Sequence, residues 1–414
     1  MNGFNPLELT VKNILQMINP LNEHWAVRFH IINEVRAIVA SIESLRGATV
    51  EPFGSFVSNF FTKWGDLDIS IELQNGSYIS SPGRKQKQKL LGDVLSALRD
   101  KGGFRKVQFI INARVPILKF ESRCISCDIS INNLSGQMKS KMLFWVNEID
   151  GRFRDLVLLV KEWAKNHHIN DSKSGSLNSY SLSLLVVFHL QTVKPAILPP
   201  FRDVYPGNMI DDLTGVRTVA EKHIEDACAV NINKIKSERR ANLNQSSLSE
   251  LFLSFLAKFA EICSNASTHG ISPYSGQMEE INSNMRWLPK TYALFVEDPF
   301  EQPANTARTV SSKQLIKISE AIQETYGVLV HPNQNPGSLL SVMAGPHIFP
   351  RTPFPATASR QSSSWRHGPN KNPERRKQTS SETQPAAQKH PNGQKQQVWR
   401  PRSGKKLDEL GSEG

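Results

Sequence analysis

Cysteine is scarce: four residues in 414, at positions 124, 127, 228 and 263, are too few for a disulfide scaffold and fit a reducing compartment. Long apolar runs are missing as well. The longest, around Leu182–Leu190, is interrupted by Ser183 and His189 and falls far short of the roughly 18 residues a membrane span needs. The first residues, MNGFNPLELTVKNILQ, lack a basic stretch followed by an apolar core, and Asn2 stands where myristoylation requires glycine. Membrane insertion, secretion and lipid anchoring are therefore not expected, and the expected location is the nucleus and cytoplasm. Acidic charge is also short, with 38 Asp and Glu against 50 Lys and Arg for a net +12. The imbalance is uneven. Residues 331–414 hold 13 basic and 5 acidic residues, or +8, leaving +4 for the first 330, and the same stretch contains 11 of the 24 prolines. A basic, proline-rich tail on a nearly neutral globular body is the expected organisation.

Within the body, residues 6–46 carry apolar residues at three- and four-residue spacing, with Asn19-Pro20 as a break, and predict two helices before any strand. ATVEPFGSF then reads as a strand and a glycine turn, and DLDISIEL alternates with period two. A helix at Lys85–Asp100 precedes strands at Lys106–Ile111, Val115–Glu121 and Cys124–Ile131. Beyond residue 150 strand signals nearly vanish. Phe153–Lys165 and Ser179–Gln191 have helical periodicity, with Asn178 as cap of the second, and Ser247 with Glu250 has capping-box spacing. The predicted fold is an α/β (α+β) catalytic palm over 41–145 and a mostly helical domain over 146–325. The helices of residues 1–40 are expected to pack on the helical domain, and residues 331–414 to form a disordered tail.

The chemistry concentrates on the strands. In WGDLDISIEL, Leu67, Ile69 and Ile71 face one way while Trp64, Asp66, Asp68 and Ser70 face the other. Residues two apart on a strand lie about 7 Å apart, so both carboxylates can converge on divalent ions. Asp128 stands opposite Ile125, Cys127, Ile129 and Ile131 in the same manner. Three carboxylates on open strand faces can hold two Mg²⁺ about 4 Å apart for phosphoryl transfer; the plainer alternative is a solvent-facing pair at a strand end. Gly54-Ser55 precedes Asp66 by eleven residues counted from the serine, and a short loop and helix there can turn N–H groups and a hydroxyl toward triphosphate oxygens. Lys161 and Lys165, four apart on one helix, point the same way.

This combination resembles the nucleotidyltransferase superfamily of DNA polymerase beta, and within it the template-independent poly(A) polymerases and terminal uridylyltransferases. The resemblance runs over about residues 5–325 and includes LVLLVKEWAK, GSLNSYSLSLLV, SLSELFLSFLAKFA and FVEDPFEQPANTARTV. It is strongest toward plant terminal uridylyltransferases that tail unmethylated small RNAs. The resemblance implies that Asp66, Asp68 and Asp128 hold Mg²⁺, with Mn²⁺ as the substitute, and that Gly54, Ser55, Lys161, Lys165 and Ser179 bind phosphates. Tyr180 would stack on the base, and Asp298 and Glu301 match the nucleotide-binding pattern. At two positions the chain departs from the best understood uridylyltransferases: Lys139 replaces an asparagine that contacts ribose and uracil, and Ala304 replaces a histidine that favours uracil. The implied partners are UTP and an RNA 3′ end, presented by an Argonaute-type protein.

Other signals weigh less. Cys124-x-x-Cys127 lacks two further zinc ligands nearby, and Cys127 reads as a small apolar residue of a packed strand. His167-His168 at a helix end reads as support for the helix dipole. The basic run Arg84–Lys89 reads as a solvated loop, with RNA contact as the alternative. Trp365 and Trp399 among basic residues suit unpaired bases or a protein partner, and Lys371–Lys377 resembles a nuclear-import signal. Two further functions stay open: a poly(A) polymerase, and a catalytically silent RNA-binding scaffold.

Overall fold

The computed structural model describes residues 5–73, 78–80, 82–238, 243–288, 291–332 and 335–348. The readings on Trp365, Trp399 and Lys371–Lys377 lie outside the described residues. Two helices open the chain, α1 (Pro6–Ile18) and α2 (Asn22–Ala40). Asn19 ends α1 in an extended conformation because a residue before proline is pushed out of the helical region. Then follow β1 (Thr49–Phe53), β2 (Leu67–Glu72), α3 (Arg84–Lys101), β3 (Arg105–Ile110), β4 (Ile117–Ser122) and β5 (Ile125–Ile131). The five strands form one sheet in the order β1-β2-β5-β4-β3, in which only β2 and β5 are parallel.

Helices follow: α4 (Leu134–Asn147), α5 (Arg152–Asn166), α6 (Ser179–Thr192), the single turns α7 (Phe201–Val204) and α8 (Met209–Asp212), then α9 (Arg217–Glu238), α10 (Leu248–Phe259) and α11 (Ile262–Ala266). A hairpin, β6 (His269–Ser272) with β7 (Gln277–Glu280), precedes α12 (Ser312–Val330) and α13 (Pro336–Met343). Asn178 caps α6 by accepting the Ser181 N–H at 2.8 Å, and Ser247 and Glu250 close the capping box of α10. The hairpin was not expected. Its strands are four residues each, with a single large apolar residue apiece, Ile271 and Met278, and carry too little alternation to read. Gly270 sits in it because a Cβ there would lie 2.4 Å from the Trp287 ring.

Apolar side chains gather into two cores. One lies under the sheet, with Leu67, Ile69, Ile71, Cys127, Ile129 and Ile131 against α2 and α3. The other joins α1, α4, α5, α6, α10, α12 and α13. Three expectations are corrected here. First, α1 packs on the helical domain but α2 does not: its Ile31, Ile32, Val35, Ile38 and Val39 belong to the palm core. Second, the basic run Arg84–Lys89 is the first turn of α3 and not a loop, with Arg84 donating to the carbonyls of Ile111 and Ala113. Third, the chain does not leave the fold at residue 331. Leu339, Val342, Met343 and Ile348 are buried in the helical core, so the segment through Ile348 is part of the body. Its few apolar residues are enough because most of them are buried, with Leu340 half-buried against the same core.

The two cores are tied by a buried network. Glu72 at the end of β2 accepts from Ser70 Oγ at 2.5 Å, from Gln137 Nε2 of α4 at 2.6 Å and from Arg217 Nη1 of α9 at 2.7 Å. The strand face expected to be open is therefore covered from Ser70 onward, and stays open only at its N-terminal end, beside Asp66 and Asp68.

Candidate active site

A cavity of about 470 Å³ lies between palm and helices, lined among others by Gly54, Ser55, Asp66, Asp68, Lys161, Lys165, Ser179 and Tyr180. Eight residues singled out from the sequence thus meet in one place. Asp128 does not line the cavity itself. It stands on the neighbouring parallel strand in register with Asp68, and the β4–β5 register sets Lys119 beside it. Lys119 Nζ lies 3.1 Å from Asp128 Oδ1 and 3.9 Å from Asp66 Oδ2. Among the described residues the three carboxylates are not drawn together as a finished metal cage; an ammonium is lodged between two of them. Burial, with Asp128 and Asp66 nearby, pushes the Asp68 carboxyl up to about 7. Burial also raises Asp66, against the pull of Lys119. For Lys119 burial acts downward, but the carboxylates outweigh it and its ammonium is held above the usual range. Oxygen-only donors that repel one another at close range suit a hard divalent cation, so the residues present fit the metals the family implies.

Gly54 has φ +66°, and a Cβ on it would come 2.1 Å from Asp68 Oδ2. Only glycine lets the turn pass the carboxylate so closely. Its N–H donates to Ser140 Oγ at 2.7 Å, and Ser140 donates onward to the Gly136 carbonyl at 2.6 Å. No helix follows, contrary to expectation: residues 54–59 form turns that end at Asn59 with φ 61°. The Ser55 carbonyl accepts the Phe60 N–H at 2.8 Å. Across the cavity, buried Lys161 donates to the Phe60 carbonyl at 2.9 Å. Burial and then Lys165 bring its ammonium down to about 8.

At the other end, Tyr180 on the first turn of α6 donates its hydroxyl to Asp298 Oδ1 at 3.1 Å. Lys139 Nζ sits 2.6 Å from Asp298 Oδ2, 2.8 Å from Glu301 Oε2 and 5.5 Å from the centre of the Tyr180 ring. Burial would raise Glu301, but Lys139 and Ser135 hold it below the ordinary range. Asp298 and Glu301 are thus occupied by Lys139, and Ala304 beside them presents only a methyl group. Ser179 exchanges hydrogen bonds with Asn170 at 3.2–3.3 Å.

Lys119, Ser140, Arg28 and His347 were missed. Lys119 could have been found by pairing strands, since it sits nine residues before Asp128 on the antiparallel neighbour. Arg28, fully buried, donates to the Gly65 carbonyl at 2.5 Å and the Lys63 carbonyl at 3.3 Å, holding the loop that carries Asp66. His347 places Nε2 3.0 Å from Glu162, whose carboxylate is otherwise buried without a hydrogen bond, and its ring meets Trp64 edge-on at 5.3 Å. Asn166 and His167, at the end of α5, reach the carbonyls of Ser341 and Val342 at 2.8 Å. No local pattern marks such contacts across 170 residues or more.

A nucleotide-sized cleft with carboxylates facing lysines, on a mixed five-stranded palm joined to a helical lobe, defines a polymerase-beta-like nucleotidyltransferase. Comparison with known proteins agrees. Residues 7–147 match the family described as poly(A) RNA polymerase, mitochondrial-like, central palm domain. The chain is 57% identical over 347 residues to Protein HESO1 of Arabidopsis thaliana, covering 83% of this chain and 68% of that protein. It is 30% identical over 267 residues to human poly(A) RNA polymerase GLD2, of which it spans about half, 51%. The fold is shared with the crystal structure of mtPAP in complex with UTP, at TM-score 0.65 and 21% identity over 83% of this chain and 73% of that one. It is shared equally with a cytoplasmic RNA terminal U-transferase, at TM-score 0.63 and 22% identity over 82% of this chain and 99% of that one. The chain belongs to the polymerase-beta-like family of RNA terminal nucleotidyltransferases and is an enzyme of that class.

Proposed function

We propose that the enzyme is a terminal uridylyltransferase that adds UMP from UTP to the 3′ end of RNA without a template. The observation that carries the transfer chemistry is the cavity that opposes Asp66 and Asp68 to Lys161 and Lys165, with Tyr180 at its far end. Uridylate is favoured over adenylate by the sequence resemblance to plant uridylyltransferases.

Asp66, Asp68 and Asp128 would hold Mg²⁺, or Mn²⁺ in its place, which when bound favours loss of the 3′-hydroxyl proton and offsets charge on the leaving pyrophosphate. The chain's own part is to place the reactants. Ser55 and the turn at Gly54 receive the triphosphate, and Lys161 and Lys165 balance its charge. Ser179 holds a phosphate at the start of α6, and Tyr180 supports the base, its ring fixed through Asp298. The RNA hydroxyl then attacks the α-phosphate, the bond to pyrophosphate breaks, and the RNA is one nucleotide longer. Unmethylated small RNAs marked for decay are the proposed substrates, presented by an Argonaute-type protein in nucleus and cytoplasm. No helix among the described residues is long and apolar enough to cross a membrane.

The test is extension of a labelled oligoribonucleotide with Mg²⁺ and each of the four nucleoside triphosphates separately. Extension by UTP well above ATP is expected. Equal or better extension by ATP would make the enzyme a poly(A) polymerase, and no extension by any would leave the scaffold reading.

A further inference from the structure

Beyond the base end of the nucleotide cavity the cleft continues. A hollow of about 360 Å³, lined by Lys139, Tyr180, Ala304, Arg114 and Arg308, leads from it. Arg114 and Arg308 are shared with a further cavity of about 490 Å³, whose wall also includes Arg286 and Tyr292. We infer that this outer cavity is a second nucleotide site, which holds a nucleotide of single-stranded RNA upstream of the reacting 3′ end. The inference rests on RNA being the acceptor in the proposed function.

Three features point to that ligand. The first is charge. Arg114, Arg286 and Arg308 are all exposed and converge on one hollow from three different segments of chain. Among the described residues Arg114 and Arg308 have no hydrogen bond or ion pair, though Glu301, which lines both hollows, is near enough to Arg114 for electrostatic interaction, and Arg286 has one long contact, 3.5 Å to Gln302 Oε1. Exposed guanidinium groups without a close ion-pair partner are available to phosphate oxygens, which they bind as a fork. The second is the aromatic floor. Trp287 is buried, stacked on Phe295 at 4.4 Å and held through its indole N–H to Glu297 at 3.3 Å. This fixes Tyr292, which meets Phe295 at 5.9 Å and stays partly exposed toward the cavity. A rigid ring and planar guanidinium groups are the surfaces on which unpaired bases stack. The third is continuity. The same side chains bound successive hollows back to Tyr180 and the carboxylates, so a ligand seated here and reacting at Asp66 and Asp68 is a chain of nucleotides and not an isolated anion. Ala304 lines both hollows and offers only a methyl group at their junction.

The test uses the full-length protein. Binding of a fluorescein-labelled, unstructured oligoribonucleotide is followed by anisotropy without UTP or divalent metal, across a salt titration, for wild type, Arg286→Ala, Arg286→Lys and Arg114→Ala/Arg286→Ala. Both arginines are exposed, and unchanged melting temperatures verify that the variants fold. The double variant is expected to bind about tenfold more weakly. Its salt slope should fall by about 1.4, since each phosphate contact on a single strand contributes about 0.7. Arg286→Lys, which keeps the charge, should retain the slope while losing part of the affinity. In steady-state kinetics Arg286→Ala should raise the KM for RNA and leave that for UTP unchanged. Unchanged RNA affinity and slope in the double variant would overturn the inference. A raised KM for UTP with unchanged RNA binding would also overturn it, and would assign the cavity to free nucleotide. Failure of the wild type to extend RNA with UTP would count against the proposed function, while the affinity comparison would still decide this one.

Discussion

The two ends of the nucleotide cavity are built in opposite ways. The carboxylate end is a product of strand register. Asp68 and Asp128 face each other across two parallel strands, Lys119 joins the row from the antiparallel neighbour, and Asp66 precedes Asp68 by two residues. The base end has no such frame. Lys139, Tyr180 and Asp298 come from the middle of one helix, the start of another and a loop 118 residues beyond Tyr180, and a single ion-pair cluster fixes all three. Register places groups by hydrogen-bonded backbone and resists substitution of any one side chain. A side-chain cluster in a loop fails when one member is lost. The first kind of site suits chemistry common to all nucleotides, and the second suits a choice among bases.

Breaking the carboxylate end should have the largest effect on activity. Asp66→Ala and Asp68→Ala are each expected to lower turnover by at least about a hundredfold, the equivalent of several kcal/mol of lost charge stabilisation. The sheet should stay folded, because the packed side of β2 is untouched. Single-turnover extension with melting curves checks this. Near-normal extension with an unchanged melting temperature would remove these residues from the metal assignment.

Next comes the segment through α13 and Ile348, which packs on α1, α5 and α12 in the helical core. Ending the chain after His331 removes the burial of Leu339, Val342, Met343 and Ile348. At about 1.5–3 kcal/mol per buried side chain, a loss of about 5 kcal/mol or more is expected. Ending it after Ile348 should leave unfolding by urea unchanged. Equal stability of the two truncations would mean that α13 is not integral to the fold.

The comparison sharpens at two lysines. Lys139→Ala leaves Asp298 and Glu301, with side-chain exposures of 5% and 20%, without their counter-charge. Stability should fall by about 3 kcal/mol, as for other buried pairs that lose one partner. The ratio of UTP to ATP incorporation should change as well. Lys161→Ala, at the phosphate end, should raise the KM for both nucleotides by one common factor. A shared factor in both variants would erase the distinction drawn between the two ends.

The smallest effect is on pH dependence. The folded-state pKa of Asp68 is about 7 against an ordinary 3.8, with Asp66, Asp128, Lys119 and Lys161 as the charged groups around it. The native state therefore binds this proton more tightly than the unfolded chain. Its contribution is complete below about pH 4 and is lost as pH rises through about 7. Urea titrations of metal-free protein should show this decline, and Asp68→Asn should flatten it. An unchanged profile in the variant would show that Asp68 titrates normally.

The residues proposed to carry transfer chemistry were readable one by one, because strand alternation and helical spacing are local: Asp66 with Asp68, Asp128 on its own strand, Lys161 with Lys165, and the capped start of α6 at Ser179 and Tyr180. Even the glycine turn at Gly54 could be read, though the closeness of its approach to Asp68 could not. Local order specified each element, since period and capping are properties of a few adjacent residues. Tertiary structure alone decided that Lys119 would lie between two of the carboxylates. It alone decided that Lys139 would occupy Asp298 and Glu301, that α2 would serve the palm, and that His347 would reach Glu162 and Trp64. These are contacts between segments tens to hundreds of residues apart, formed where packed cores meet, and no periodicity in a chain encodes which distant side chain fills a given gap.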